Sequence, residues 1–121
     1  MSEQKKLRLL LIEDDPADVE YLRELLNEDR SYKFEIDWAD RLKTGIEKNL
    51  NGCYDIILLD LGLPEENGIE TFRKFRDACA SQTPVVVLTG LDDDAAALEV
   101  VSLGAQDYLS KGDLNTKLIV R

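Results

Sequence analysis

At 121 residues the chain has the length of one domain with a core of its own. Lys and Arg number 15 and Asp and Glu 25, and the net charge of -10 argues against a nucleic-acid backbone or an anionic membrane as the main partner. Histidine is absent, which removes imidazole bases, histidine metal ligands and every histidine-containing triad.

The two cysteines, Cys53 and Cys79, form no CxxC pair and read as core thiols of a reducing cytoplasm. No apolar run approaches the roughly 20 residues of a membrane span, and MSEQKK leads into no signal-peptide pattern. The expected location is cytoplasmic.

In chain order, five strand-like runs recur: LRLLLI (7–12), KFEIDW (33–38), DIILLD (55–60), PVVVLT (84–89) and QDYLS (106–110). The first, third and fourth are almost continuously apolar, as central strands covered on both faces are. KFEIDW alternates, with Phe34, Ile36 and Trp38 on one side, and reads as an edge strand. Helical stretches lie between. ADVEYLRELLNE carries Val19, Leu22 and Leu26 at helical spacing, RLKTGIEKNL carries Leu42, Ile46 and Leu50, and GIETFRKFRDAC carries Ile69, Phe72 and Cys79. DDAAALEVVSLG ends at Gly104, a good residue just past a helix end, and LNTKLIVR reads as a fifth helix that stops early. This alternation predicts an α/β fold with a parallel sheet, in one domain running from about residue 5 within the span 1–121.

The acids cluster at IEDD, LPEE and LDDD, each just after an apolar run. Capping accounts for several. Asp15 before Pro16 reads as an N-cap with proline at the first helical position, and Asp18 lies near the positive helix end. Asn67 with Glu70 has capping-box spacing, and Asp92 can cap the helix after LTG. Glu13 and Asp14 are left over, at the carboxyl end of the first strand, and Asp60 stands at the carboxyl end of the third. In an open parallel sheet the ligand crevice lies at those ends, where strand order reverses. If strands one and three are neighbours, the three carboxylates converge, and converging anions raise their pKa values or recruit a cation. With only oxygen ligands in reach, a hard divalent ion fits, Mg2+ above all. Thr89 adds a hydroxyl at the end of the fourth run and Lys111 an ammonium after the fifth, a set suited to a phosphoryl group.

These residues resemble the receiver domain of bacterial response regulators over essentially the whole chain, through IEDD, LLDLGLP, VVLTG and GAQDYLSK in the family's order and spacing. The resemblance implies a doubly wound (βα)5, flavodoxin-like fold of strand order 2-1-3-4-5. It implies that Asp60 is the phosphoacceptor, that Asp14 binds Mg2+ directly with Asp60, that Glu13 acts mostly through a metal-bound water, and that the Gly62 backbone carbonyl supplies a further oxygen. Thr89 and Lys111 would hold phosphoryl oxygens, Gly90 would keep the turn open for them, Tyr108 would be the switch aromatic, and Pro64 would shape the loop after Asp60. The implied partners are a histidine kinase or histidine-phosphotransfer domain, and an output domain or downstream protein meeting the face of the fourth helix, fifth strand and fifth helix, with no direct nucleic-acid or membrane contact by this domain.

The chain departs from the family at Gly112, where proline usually follows the lysine, which puts the loop path in doubt. The form KGDL is more like receivers beside sensor-kinase, cyclic-dinucleotide or phosphatase modules than those of DNA-binding regulators. Gly62 and Leu91, two residues past Asp60 and Thr89, can neither act as a base nor position water, which predicts slow self-dephosphorylation. The short end predicts a last helix cut inside a longer protein.

Three other readings compete. An aspartyl-phosphate phosphohydrolase of the haloacid dehalogenase type carries a second aspartate where this chain has Gly62. A flavodoxin-like cofactor binder needs a phosphate cradle that EDDPAD does not supply. A receiver-shaped interaction module that is never phosphorylated has no use for the site residues, all of which are present.

Overall fold

The computed structural model of the chain describes residues 5–63, 68–79, 83–90 and 94–110. Its elements are β1 (Lys5–Ile12), α1 (Pro16–Asn27), β2 (Tyr32–Ala39), α2 (Leu42–Asn51), β3 (Ile56–Asp60), α3 (Ile69–Ala78), β4 (Val85–Thr89), α4 (Asp94–Ser102) and β5 (Asp107–Ser110). All strand pairs are parallel, in one five-stranded sheet of order β2-β1-β3-β4-β5. This is the fold the resemblance implied. The fifth helix expected at LNTKLIVR, the Asn67 and Asp92 caps, and the loop at Pro64 lie outside the described residues.

Alternation along each strand divides the core in two. Leu10, Ile12, Ile57, Leu59 and Val87 face α2, α3 and α4 through Leu42, Phe72, Phe75 and Val100. Leu9, Leu11, Leu58, Val86 and Leu88 face the other way, towards Val19, Leu22 and Leu26 of α1. β1, β3 and β4 are therefore apolar on both faces, the reason their sequences read as continuous runs. β2 lies at the edge, and Phe34, Ile36 and Trp38 pack on the α1 side, in the alternation expected.

α1 starts as its sequence predicts. The Asp15 side chain accepts a hydrogen bond from the Ala17 amide at 2.9 Å, with Pro16 in the first turn and Asp18 close behind. α4 closes at Ser102, and Gly104 just past its end has a φ of 121° that suits glycine. At α3 the N-cap position is held by Gly68, φ 52°, which offers no side chain to cap with.

Two expectations fail. Leu50 is 62% exposed and does not belong to the buried stripe of α2, which runs through Leu42, Gly45 and Asn49. Cys53 is exposed, so only Cys79 is a core thiol; both are free.

Candidate functional site

Because the strand order reverses between β1 and β3, these two neighbours send their following helices in opposite directions and leave a crevice at their carboxyl ends. The register pairs Ile12 with Leu59, which carries Glu13 and Asp60 out of the sheet side by side. One candidate ligand oxygen from each of Glu13, Asp14 and Asp60 lies within 4.8 Å of the others. Glu13 is fully buried, Asp60 is 2% exposed, and Asp14 is exposed at the rim. The sequence singled out this trio, and the fold brings it together.

The buried carboxylates are held from several directions. The Glu13 amide donates to the Ala39 carbonyl at 3.0 Å, and the Glu13 side chain accepts from the Asp15 amide at 3.2 Å. Asp60 Oδ1 accepts from the Gly62 amide at 2.9 Å. A β-carbon at Gly62 would sit 3.4 Å from that same oxygen, so any side chain there would lean over the Asp60 carboxylate. Gly68 and Thr71 fix the loop behind it: the Gly68 amide donates to the Leu61 carbonyl at 3.0 Å, and the buried Thr71 hydroxyl donates to it at 3.4 Å.

The donor set suits a hard divalent cation. It consists of carboxylate oxygens, two of them withdrawn from water, where mutual repulsion is screened least. Mg2+ prefers such oxygens and keeps waters of its own, which the exposed Asp14 rim admits.

Thr89 ends β4 next to this crevice. Asp60 pairs with Leu88 in register, and the Leu61 amide donates to the Leu88 carbonyl at 3.0 Å, so Thr89 lies one residue beyond Asp60 on the adjoining strand. Its hydroxyl is buried and donates to the Leu109 carbonyl of β5 at 3.4 Å. Gly90 is exposed, and a β-carbon there would meet no described atom within 4 Å. Tyr108, opposite Val87 on the edge strand β5, is half-buried and packs against the core shared with α4. Lys111, Gly112 and Leu91 lie outside the described residues.

Two residues not expected near the site hold the backbone at its edge, through the Leu61 and Glu13 carbonyls. Thr71 is one. The other is Trp38, whose Nε1 donates to the Glu13 carbonyl at 2.6 Å. A half-buried tryptophan needs a partner for its N–H, and that requirement was the available signal.

Fold and crevice together define a class, and the comparison with known families agrees. Residues 9–120 match the response regulator receiver domain, and the chain belongs to that family, whose members are signalling domains of two-component response regulators. It is 33% identical over 115 residues to the transcriptional regulatory protein DltR of Streptococcus agalactiae serotype III, covering 95% of this chain and 50% of that protein. To the KDP operon transcriptional regulatory protein KdpE of Escherichia coli K12 it is 36% identical over 116 residues, covering 93% and 49%. The chain thus spans about half the length of these curated relatives. Among solved structures, the Francisella response regulator 1452 receiver domain superimposes with a TM-score of 0.78 at 25% identity, covering 95% of this chain and 92% of that one. Both of these curated relatives are named as transcriptional regulatory proteins.

Proposed function

We propose that this domain is a phosphoacceptor switch in which Asp60 takes a phosphoryl group from a histidine kinase or histidine-phosphotransfer domain. The single observation that carries the reading is the trio Glu13, Asp14 and Asp60 at the carboxyl ends of the adjoining strands β1 and β3, with Thr89 one strand away.

In the transfer, an Asp60 carboxylate oxygen attacks phosphorus, the P–N bond to the donor histidine breaks, and an acyl phosphate forms. Asp14 and Asp60 would hold Mg2+, with Glu13 acting through water and the Gly62 carbonyl adding an oxygen. The cation's contribution is to neutralise the oxygens of the transferring group. Gly62, lacking a side chain, leaves the approach to Asp60 Oδ1 clear. Gly90 leaves room beside Thr89, and Lys111 completes the phosphoryl contacts.

The hydroxyl of Thr89 supplies the link to the surface. Its bond to the Leu109 carbonyl is long, and a phosphoryl oxygen with full negative charge is a stronger acceptor. When Thr89 turns to that oxygen it gives up Leu109, and Tyr108, next along β5, moves into the space released. Exposed Leu98 and Val101 on α4 give the neighbouring face apolar area for a partner. We assign the output to that α4–β5 face, in a receiver domain that works in the cytoplasm and has no external substrate to turn over.

Exposure to acetyl phosphate with Mg2+, followed by intact mass, tests the reading. Wild type gains one phosphoryl group and Asp60→Asn gains none; an adduct on both proteins places the acceptor elsewhere.

A further inference from the structure

Trp38 stands at the carboxyl end of the edge strand β2, opposite Leu11. Its Nε1 reaches the Glu13 carbonyl at 2.6 Å, while the next residue, Ala39, accepts the Glu13 amide at 3.0 Å. The edge strand therefore grips both polar ends of the Glu13 backbone. The Glu13 carbonyl belongs to the peptide plane that joins Glu13 to Asp14. That plane is rigid, so fixing its oxygen fixes the direction in which the Asp14 backbone leaves it. Glu13 is walled in, but Asp14 is exposed and gains no such aim from burial.

We infer that Trp38 is a positioning residue for divalent-cation binding: its indole N–H orients the Glu13–Asp14 peptide so that the Asp14 carboxylate faces Asp60. This rests on the reading of the trio as a Mg2+ site. A partner of this kind, outside the ligand set, typically sets metal affinity by about 10- to 100-fold. Trp38 acts through a backbone group, so the expected loss is at the lower end, about tenfold.

The chain has one tryptophan, which makes a clean test available. Biosynthetic replacement by benzothienylalanine changes position 38 alone, keeps the shape of the ring and puts sulfur where the N–H was. Calorimetric titration with Mg2+ should show affinity about tenfold weaker in the analogue, and in Trp38→Phe, than in wild type. Leu11→Val, which loosens packing beside the ring but keeps the N–H, should bind Mg2+ as wild type does. In the unaltered protein the single indole N–H resonance should shift with Mg2+ along the calorimetric binding curve. Unchanged affinity in the analogue, or an indole resonance that stays still while Mg2+ binds, overturns the positioning role. Equal weakening by Leu11→Val also overturns it, because packing would then be the cause. Failure of wild type to bind Mg2+ at all sinks instead the reading of the trio as a cation site.

Discussion

Tyr54 shows what a single hydroxyl does in this protein outside the crevice. It donates to Asp37 Oδ2 at 2.6 Å, and Arg8 lies over its ring at 4.9 Å while pairing with the same carboxylate at 3.5 Å. Burial, then the hydrogen bond and charge of Asp37, push the Tyr54 hydroxyl up from 10.0 to about 12, with Arg8 working against them. Between those values the unfolded chain has released this proton and the folded chain keeps it. Stability therefore falls as pH rises through that window and is unaffected by this group below about pH 10. Chemical denaturation across that range should show the fall, and Tyr54→Phe should flatten it. At neutral pH the same substitution should cost about 1 kcal/mol, the worth of one hydrogen bond, because Asp37 is exposed enough to be solvated afterwards. A second residue-scale prediction concerns Gly62. With no side chain to place water over Asp60, the phosphorylated domain should keep its label for minutes or longer; release within seconds contradicts the assignment.

At the scale of elements, α2 packs so closely on β1 that one methyl group would be felt. A β-carbon at Gly45 would lie 2.4 Å from Cδ1 and 2.6 Å from Cγ1 of Ile12, which is fully buried just before Glu13. Alanine would gain roughly 1 kcal/mol of helix propensity. Overpacking costs about 1–3 kcal/mol, and two Ile12 atoms have to give way, so the clash wins. Gly45→Ala should lower the melting temperature and, by shifting Ile12, weaken Mg2+ binding as well. The same helix shows why its buried face was misread. Leu42, Ile46 and Leu50 are spaced by four, and at 3.6 residues per turn each step drifts about 40°, leaving Leu50 about 80° round from Leu42. The stripe that is buried returns through Gly45 and Asn49, residues that a search for apolar letters passes over. Where the pattern was unambiguous, as at Val19, Leu22 and Leu26 of α1, sequence and structure agree.

For the whole molecule, the balance of charge sets the conditions of stability. The chain carries a net -10, and three of its carboxylates meet in one crevice. Without a divalent ion these repel, so Asp14→Asn should raise the melting temperature of metal-free protein while abolishing its response to Mg2+. Wild type should gain about 2.7 kcal/mol at a Mg2+ concentration of roughly 100 times Kd. Sodium chloride at matched ionic strength should give much less, because it screens repulsion without occupying the crevice.

Order and spacing of residues determined the strand and helix sequence, the doubly covered central strands, the Asp15 cap and the identity of the acidic trio. These are local properties: periodicity, turn chemistry and charge at a strand end can be read within a short window. The tertiary structure alone decided that Trp38 grips the Glu13 carbonyl, that Thr89 spends its hydroxyl on Leu109, that Thr71 braces the loop after Asp60, and that Leu50 and Cys53 face solvent. Each of these depends on which strand lies beside which and how a helix is rolled upon them. That is fixed by the packing of side chains far apart in the chain, which no short window contains.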